Sequence, residues 1–161
     1  MLDDFYGAFS PACFGLLGLW MVVVQLRIDD LRHNSPYKQV SYGIALCFAL
    51  PGIMGVLALV DDKDPAYWQF SFIIVALGGA FMLYRVHHNV PDLEQRHVLT
   101  YLSAIGLYLA IGLLALIGRL AKSAGPDLLR IDAILLTAVI FLGFNAAWLL
   151  LFTPVAARGK A

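Results

Sequence analysis

The sequence predicts an all-α fold: a polytopic integral membrane protein, built as a bundle of five transmembrane helices with short loops. Three observations predict it. Of 161 residues, 61% are hydrophobic, and the mean hydropathy is +0.80. Charged residues make up 14%, where an ordinary soluble domain carries roughly 25%. Every Asp, Glu, Lys and Arg lies outside five uncharged runs, 5–26, 39–60, 65–84, 98–118 and 133–157. A helix needs ~20 apolar residues to cross ~30 Å of hydrocarbon. Each run therefore suffices for one crossing and none for two. Strands of a membrane barrel would alternate in polarity over about ten residues, whereas these runs are continuously apolar. Lipid offers backbone groups no partners, so each run is expected to close its own hydrogen bonds as a helix. The whole chain, 1–161, is read as a single transmembrane domain.

Span one follows an acidic start, Met1-Leu2-Asp3-Asp4. A secretory signal would carry a positive n-region there, so the run is expected to stay as an anchor. Ser10-Pro11 is read as its start signal, which makes residues 1–9 an interfacial lead-in. Span two opens after Ser35-Pro36, a capping residue before a proline that is harmless in a first turn. Its middle holds Pro51 and Gly52, where a kink is expected. Asp64-Pro65 opens span three, Asn89-Val90-Pro91-Asp92 precedes span four, and Gly125-Pro126-Asp127 precedes span five. Glycines at 15 and 18, 52 and 55, 78 and 79, and 106 and 112 are expected where helix backbones approach closely. Trp20, Trp68, Trp148, Tyr67, Tyr84 and Tyr101 sit mostly toward span ends, as in an interfacial aromatic belt. The pattern His-Asn-x-Pro recurs at 33–36 and 88–91. It is either a parallel internal repeat or the ordinary preference of loops for Asn and Pro.

Orientation follows from the short loops. Seven of the 11 Lys and Arg fall in the 27–38 and 85–97 loops and the C-terminal tail. The positive-inside rule then puts the N-terminus outside and the C-terminus in the cytoplasm, in the cell membrane. Arg119, Lys122 and Arg130 run against that assignment.

The formal net charge is zero, so nothing points to nucleic acid. Cys13 and Cys47 lie in apolar runs and are read as small packing residues. Polar chemistry is confined to a few places. Asp61, Asp62 and Asp64 surround Lys63 in one short loop. A ring of such loops in an oligomer would concentrate cations at a pore mouth, and the plain alternative is a soluble turn. His87, His88, Asp92, Glu94 and His97 lie within eleven residues, with His33 on the same predicted side. Imidazole and carboxylate suit pH sensing or a transition metal. The usual metalloenzyme spacings are missing, so a solvated loop is the plain alternative. Within the spans no ionisable acid or base is expected in a core, which counts against a proton relay. The most central polar group is Asn145, expected to bond across a helix interface.

No nucleophile elbow, P-loop or dinucleotide glycine motif is present. No loop is long enough to hold a soluble catalytic domain. Covalent catalysis and a cofactor are therefore not expected. The partners expected are the lipid bilayer and either further copies of this chain or an unlike membrane subunit. Three functions stay open. One is solute or ion passage as a homo-oligomeric channel or carrier. Another is a non-catalytic accessory subunit of a larger membrane complex. The third is an intramembrane metalloenzyme using the His87, His88 and His97 loop.

Overall fold

The computed structural model describes residues 2–29, 35–60, 65–88, 95–120 and 126–152. Five helices account for nearly all of them: α1 (Leu2–Leu26), α2 (Ser35–Val60), α3 (Pro65–His88), α4 (Gln95–Leu120) and α5 (Pro126–Phe152). No strand occurs among the described residues. Each helix is long and apolar enough to cross a membrane, and the chain is a multi-pass membrane protein.

Helices α2, α3, α4 and α5 form a four-helix ring. Each packs on its sequence neighbour, and α5 returns to α2. Helix α1 lies outside this ring, mainly on α2 and lightly on α5. Two side chains of the α1 segment tie it to α5, one at each end. The Tyr6 hydroxyl donates to the Leu129 carbonyl at 3.0 Å. Arg27, just past α1, donates to the carbonyls of Leu150 at 3.5 Å and Leu151 at 3.0 Å. These are final-turn carbonyls of α5, which lack intrahelical donors and carry the negative end of the helix dipole. The contacts at the two ends together show that α1 and α5 run parallel, as the first and fifth of five alternating crossings must.

Helix α2 is the hub. Three aromatic side chains donate to its carbonyl oxygens, which have a second lone pair to offer. They are Trp20 Nε1 to Ser41 at 3.1 Å, Tyr101 to Val40 at 3.0 Å and Tyr108 to Leu46 at 3.3 Å. Two glycines make close approach possible there. A Cβ on Gly43 would sit 2.5 Å from the Tyr101 ring. A Cβ on Gly143 of α5 would sit 2.7 Å from Cys47 Cβ. Of the glycines singled out in the sequence, Gly52, Gly55, Gly79 and Gly112 face neighbouring helices, while Gly15, Gly18, Gly78 and Gly106 meet open space. Cys13 and Cys47 are free thiols, both buried.

The outward faces are apolar: Phe81, Phe141 and Ile134 are 63%, 65% and 69% exposed. Such faces are a liability in water and match a hydrocarbon solvent.

Three expectations are corrected. Helix α1 is continuous from Leu2, with Pro11 inside it, so residues 2–9 are helix and not a lead-in. Helix α3 runs on to His88, so His87 and His88 occupy its last turn and not a loop. Helix α5 begins at Pro126, seven residues before the uncharged run. Proline suits a first helical turn, and the helix then passes straight through Asp132, which counting uncharged residues had treated as a boundary. A span therefore does contain an acid. Pro51 and Gly52, where the kink is expected, both lie within α2. Pro51 is buried, and Gly52 faces Cys13 and Phe14 of α1.

Candidate functional site

The end of the bundle where α1 begins gathers buried polar groups. Asp132 of α5 is 0% exposed, and among the described residues neither carboxylate oxygen has a hydrogen-bond partner. Ser10 of α1 and Gln69 of α3 are also buried, and Ser10 Oγ and Gln69 Nε2 likewise have no partner among the described residues. Tyr6 completes the set, close enough to Asp132 to interact electrostatically. All four lie four to eight residues inside their helices from this end. At ~1.5 Å per residue that is about 6–12 Å along the helices from this end.

Local sequence explains how each is positioned. Tyr6, Ser10 and Cys13 recur at helical spacing, so they share the face that α1 turns to its neighbours. Gly55 of α2 lets Ser10 come up against its backbone, and a Cβ there would collide with Ser10 Oγ. The Tyr6 ring packs edge-on to Phe5 at 5.2 Å and to Phe9 at 6.4 Å. Those contacts aim its hydroxyl across to Leu129, one turn before Asp132. Asp132 lies at helical spacing from Leu136 and Val139, which are both 0% exposed. It therefore occupies a core position that an apolar residue would ordinarily fill. Burying an isolated ionised carboxylate without donors is very costly. Intramembrane acids are accordingly rare, and they mark ion pathways and proton relays.

The residues singled out from sequence fare differently. Asp61, Asp62 and Asp64 lie outside the described residues. Asn145 does not bond across a helix interface within the chain. Its side-chain amide donates to the Phe141 carbonyl of its own helix at 3.0 Å, and the residue faces outward. The reason is rotational: Ala146, Ala147 and Leu150 take the buried side of that turn.

His33, Asp92 and Glu94 lie outside the described residues. His97 sits in the first turn of α4. His88 is exposed, its ring 6.1 Å from that of Tyr84. His87 holds a buried Nδ1 with no partner. Among the described residues no three His, Cys, Asp or Glu side chains come together as a metal-binding group.

Sequence reasoning missed Asp132. The signal that could have found it was helical spacing, since positions 132, 136 and 139 continue the apolar face of span five toward its N-terminus. It also read Arg27 and Arg119 as loop cations. Arg27 caps α5, and the Arg119 guanidinium lies over the Phe70 ring at 5.8 Å, a cation–π contact joining α4 to α3. The chain matches no protein-family model, no curated protein and no solved structure.

Proposed function

We propose that this chain acts in the passage of a proton or small cation across the cell membrane, as a homo-oligomeric channel or carrier, with Asp132 as the group that engages it. The observation that carries this reading is the fully buried Asp132 carboxylate, unpartnered in a membrane span. Evolution retains such a group where its protonation or pairing is used, because otherwise an apolar residue packs better at the same position. The Tyr6 hydroxyl lies within electrostatic reach of Asp132, and the unpartnered Ser10 hydroxyl is buried on the same face of α1. The acids Asp61, Asp62 and Asp64, which follow α2 in the sequence, are proposed to collect cations. The N-terminus is assigned to the outside and the C-terminus to the cytoplasm on the Lys and Arg asymmetry. No covalent catalysis is assigned.

The test is flux through the purified chain in sealed proteoliposomes, followed with a pH dye and with cation-selective dyes. Wild-type protein should dissipate an imposed gradient, and Asp132→Asn should slow it at least about tenfold, in line with the loss of one essential charged group. Wild-type flux that survives Asp132→Asn unchanged refutes the assignment. A second reading, an accessory subunit of a larger complex, is favoured by the outward-facing Asn145 amide, whose carbonyl oxygen lipid cannot satisfy. It predicts no intrinsic flux and an unlike chain in fixed ratio after gentle extraction.

A further inference from the structure

The opposite end of the bundle, where α1 ends and α2 begins, carries two neighbouring apolar grooves. The first runs between α1 and α2, with a volume of about 410 Å³ and walls that include Trp20, Met21, Val24, Ile28 and Ala45. The second runs between α2 and α3, with a volume of about 340 Å³ and walls of Phe81, Met82 and Val86. Tyr42 lines both and forms the ridge between them. Its ring is half exposed, and its hydroxyl makes only a long contact, 3.9 Å, to Met82 Sδ.

Each groove ends in a cation. Lys38 lines the first and Arg85 the second. Lys38 lies three residues into α2 and Arg85 three residues before the end of α3. The two charges therefore sit at the same level, about 4.5 Å inside the helix ends. Lys38 precedes Tyr42 by one turn, and Arg85 follows Met82 by almost one, so both cations flank the Tyr42 ridge. Among the described residues neither cation has an ion-pair or hydrogen-bond partner. Gln39 Oε1, in the second groove, is buried and also unpartnered.

We propose that these paired grooves hold one anionic two-chain phospholipid astride Tyr42, with its phosphate between Lys38 and Arg85 and one acyl chain in each groove. Depth supports this occupant. From Ile28 to Trp20 the first groove extends about 12 Å along α1, close to the ~15 Å of one leaflet's hydrocarbon. Charge supports it as well, since basic pockets between membrane helices recognise anionic headgroups. The Arg85 guanidinium can meet a phosphate with two hydrogen bonds, and the buried Gln39 oxygen can accept one from a headgroup hydroxyl. A second copy of the chain is a poor occupant. In the same membrane orientation it brings its own Lys38 and Arg85 to the same level, like charge against like. A single helix from another protein would need one continuous groove, and Tyr42 divides this one. The inference stands independently of the passage reading, because it concerns other residues at the other end of the bundle.

The test is lipid retention on the full chain. The protein is placed in nanodiscs of phosphatidylcholine with one quarter phosphatidylglycerol, released, and weighed by native mass spectrometry. One phosphatidylglycerol per chain should be retained, with a preference over phosphatidylcholine of roughly 10- to 30-fold, as two cations near a membrane anion supply. Lys38→Gln with Arg85→Gln should abolish the preference while far-ultraviolet circular dichroism in pure phosphatidylcholine stays unchanged. If that pair fails to fold, each single substitution should still lower the preference severalfold. Ala45→Phe, which fills the first groove and leaves both charges, should also lower retention. Equal retention of the two lipids, or a preference that survives loss of both cations, overturns the proposal. So does displacement of the lipid by glycerol phosphate at a comparable concentration, which would make the site one for a free anion with no use for the grooves.

Discussion

Asp132→Leu should make the protein more stable and less active at once. Leucine branches at the same carbon as the aspartate carboxyl, so it presents two methyl groups where Asp132 presents two oxygens. Those oxygens are fully buried and have no donor. Removing an unsatisfied buried polar group recovers its desolvation penalty, roughly 1–3 kcal/mol. The methyls are slightly larger than the oxygens, and crowding takes part of that gain back. The net expectation is a gain of about 1–2 kcal/mol. Asp132→Val, with a shorter side chain, should gain less and in the same direction. The assay is unfolding by sodium dodecyl sulfate titration in mixed micelles, followed by circular dichroism, beside proteoliposome flux for the same variants. A residue kept at a stability cost is the signature of a site that uses it. If Asp132→Leu and Asp132→Val both lose stability by 1 kcal/mol or more, on the order of a typical partnered hydrogen bond, then the carboxyl is satisfied within the fold. The case for a free ion-engaging group would fall with it.

Three further outcomes follow from packing and bonding. Gly143→Ala places a Cβ 2.7 Å from Cys47 Cβ and 3.2 Å from the Phe48 ring, so α5 must back away from α2 at a cost of roughly 1–3 kcal/mol. Gly78→Ala meets nothing within 4 Å and should be neutral, and equal behaviour of the two in the same titration would remove the α2–α5 contact as a constraint. Arg27→Gln should cost about 1–2 kcal/mol by freeing the Leu150 and Leu151 carbonyls, seen as faster hydrogen exchange confined to the end of α5. Exchange that stays at the wild-type rate denies the cap. Asn145→Leu should leave the unfolding free energy within about 0.5 kcal/mol, since its bond is within its own helix. It should weaken self-association in micelles by roughly 0.6–2 kcal/mol, read by energy transfer between labelled copies, and unaltered association would clear that face of any role between copies.

The crossings were legible because lipid enforces them. With no water to satisfy backbone groups, an uncharged apolar run has one conformation open to it, and prolines at 36, 65 and 126 marked where three helices start. The boundaries that went wrong did so because charge was taken to end a span. Arg85 lies inside α3 and Asp132 inside α5. A charged residue in the first or last turns of a helix can reach the interface, or be covered by a neighbour, without interrupting the backbone. The candidate site was missed for the same reason: counting charges made Asp132 a loop acid, although its spacing to positions 136 and 139 is that of one helix face.

What the sequence determined by itself was the class, the number of crossings and the approximate end of each, because those depend only on local polarity and on the thickness of a bilayer. The facing of each helix was decided by tertiary structure alone. Helices α2 and α3 are apolar almost all round and carry hardly any amphipathic asymmetry, so periodicity cannot say which side meets a neighbour. Packing settles it through shape. Small residues such as Gly43, Gly55 and Gly143 admit a neighbour's bulk, and each helix then rotates to meet it. That rotation carries Asp132 into the core under Tyr6, turns Asn145 outward, and brings Lys38 and Arg85 to the mouths of adjoining grooves.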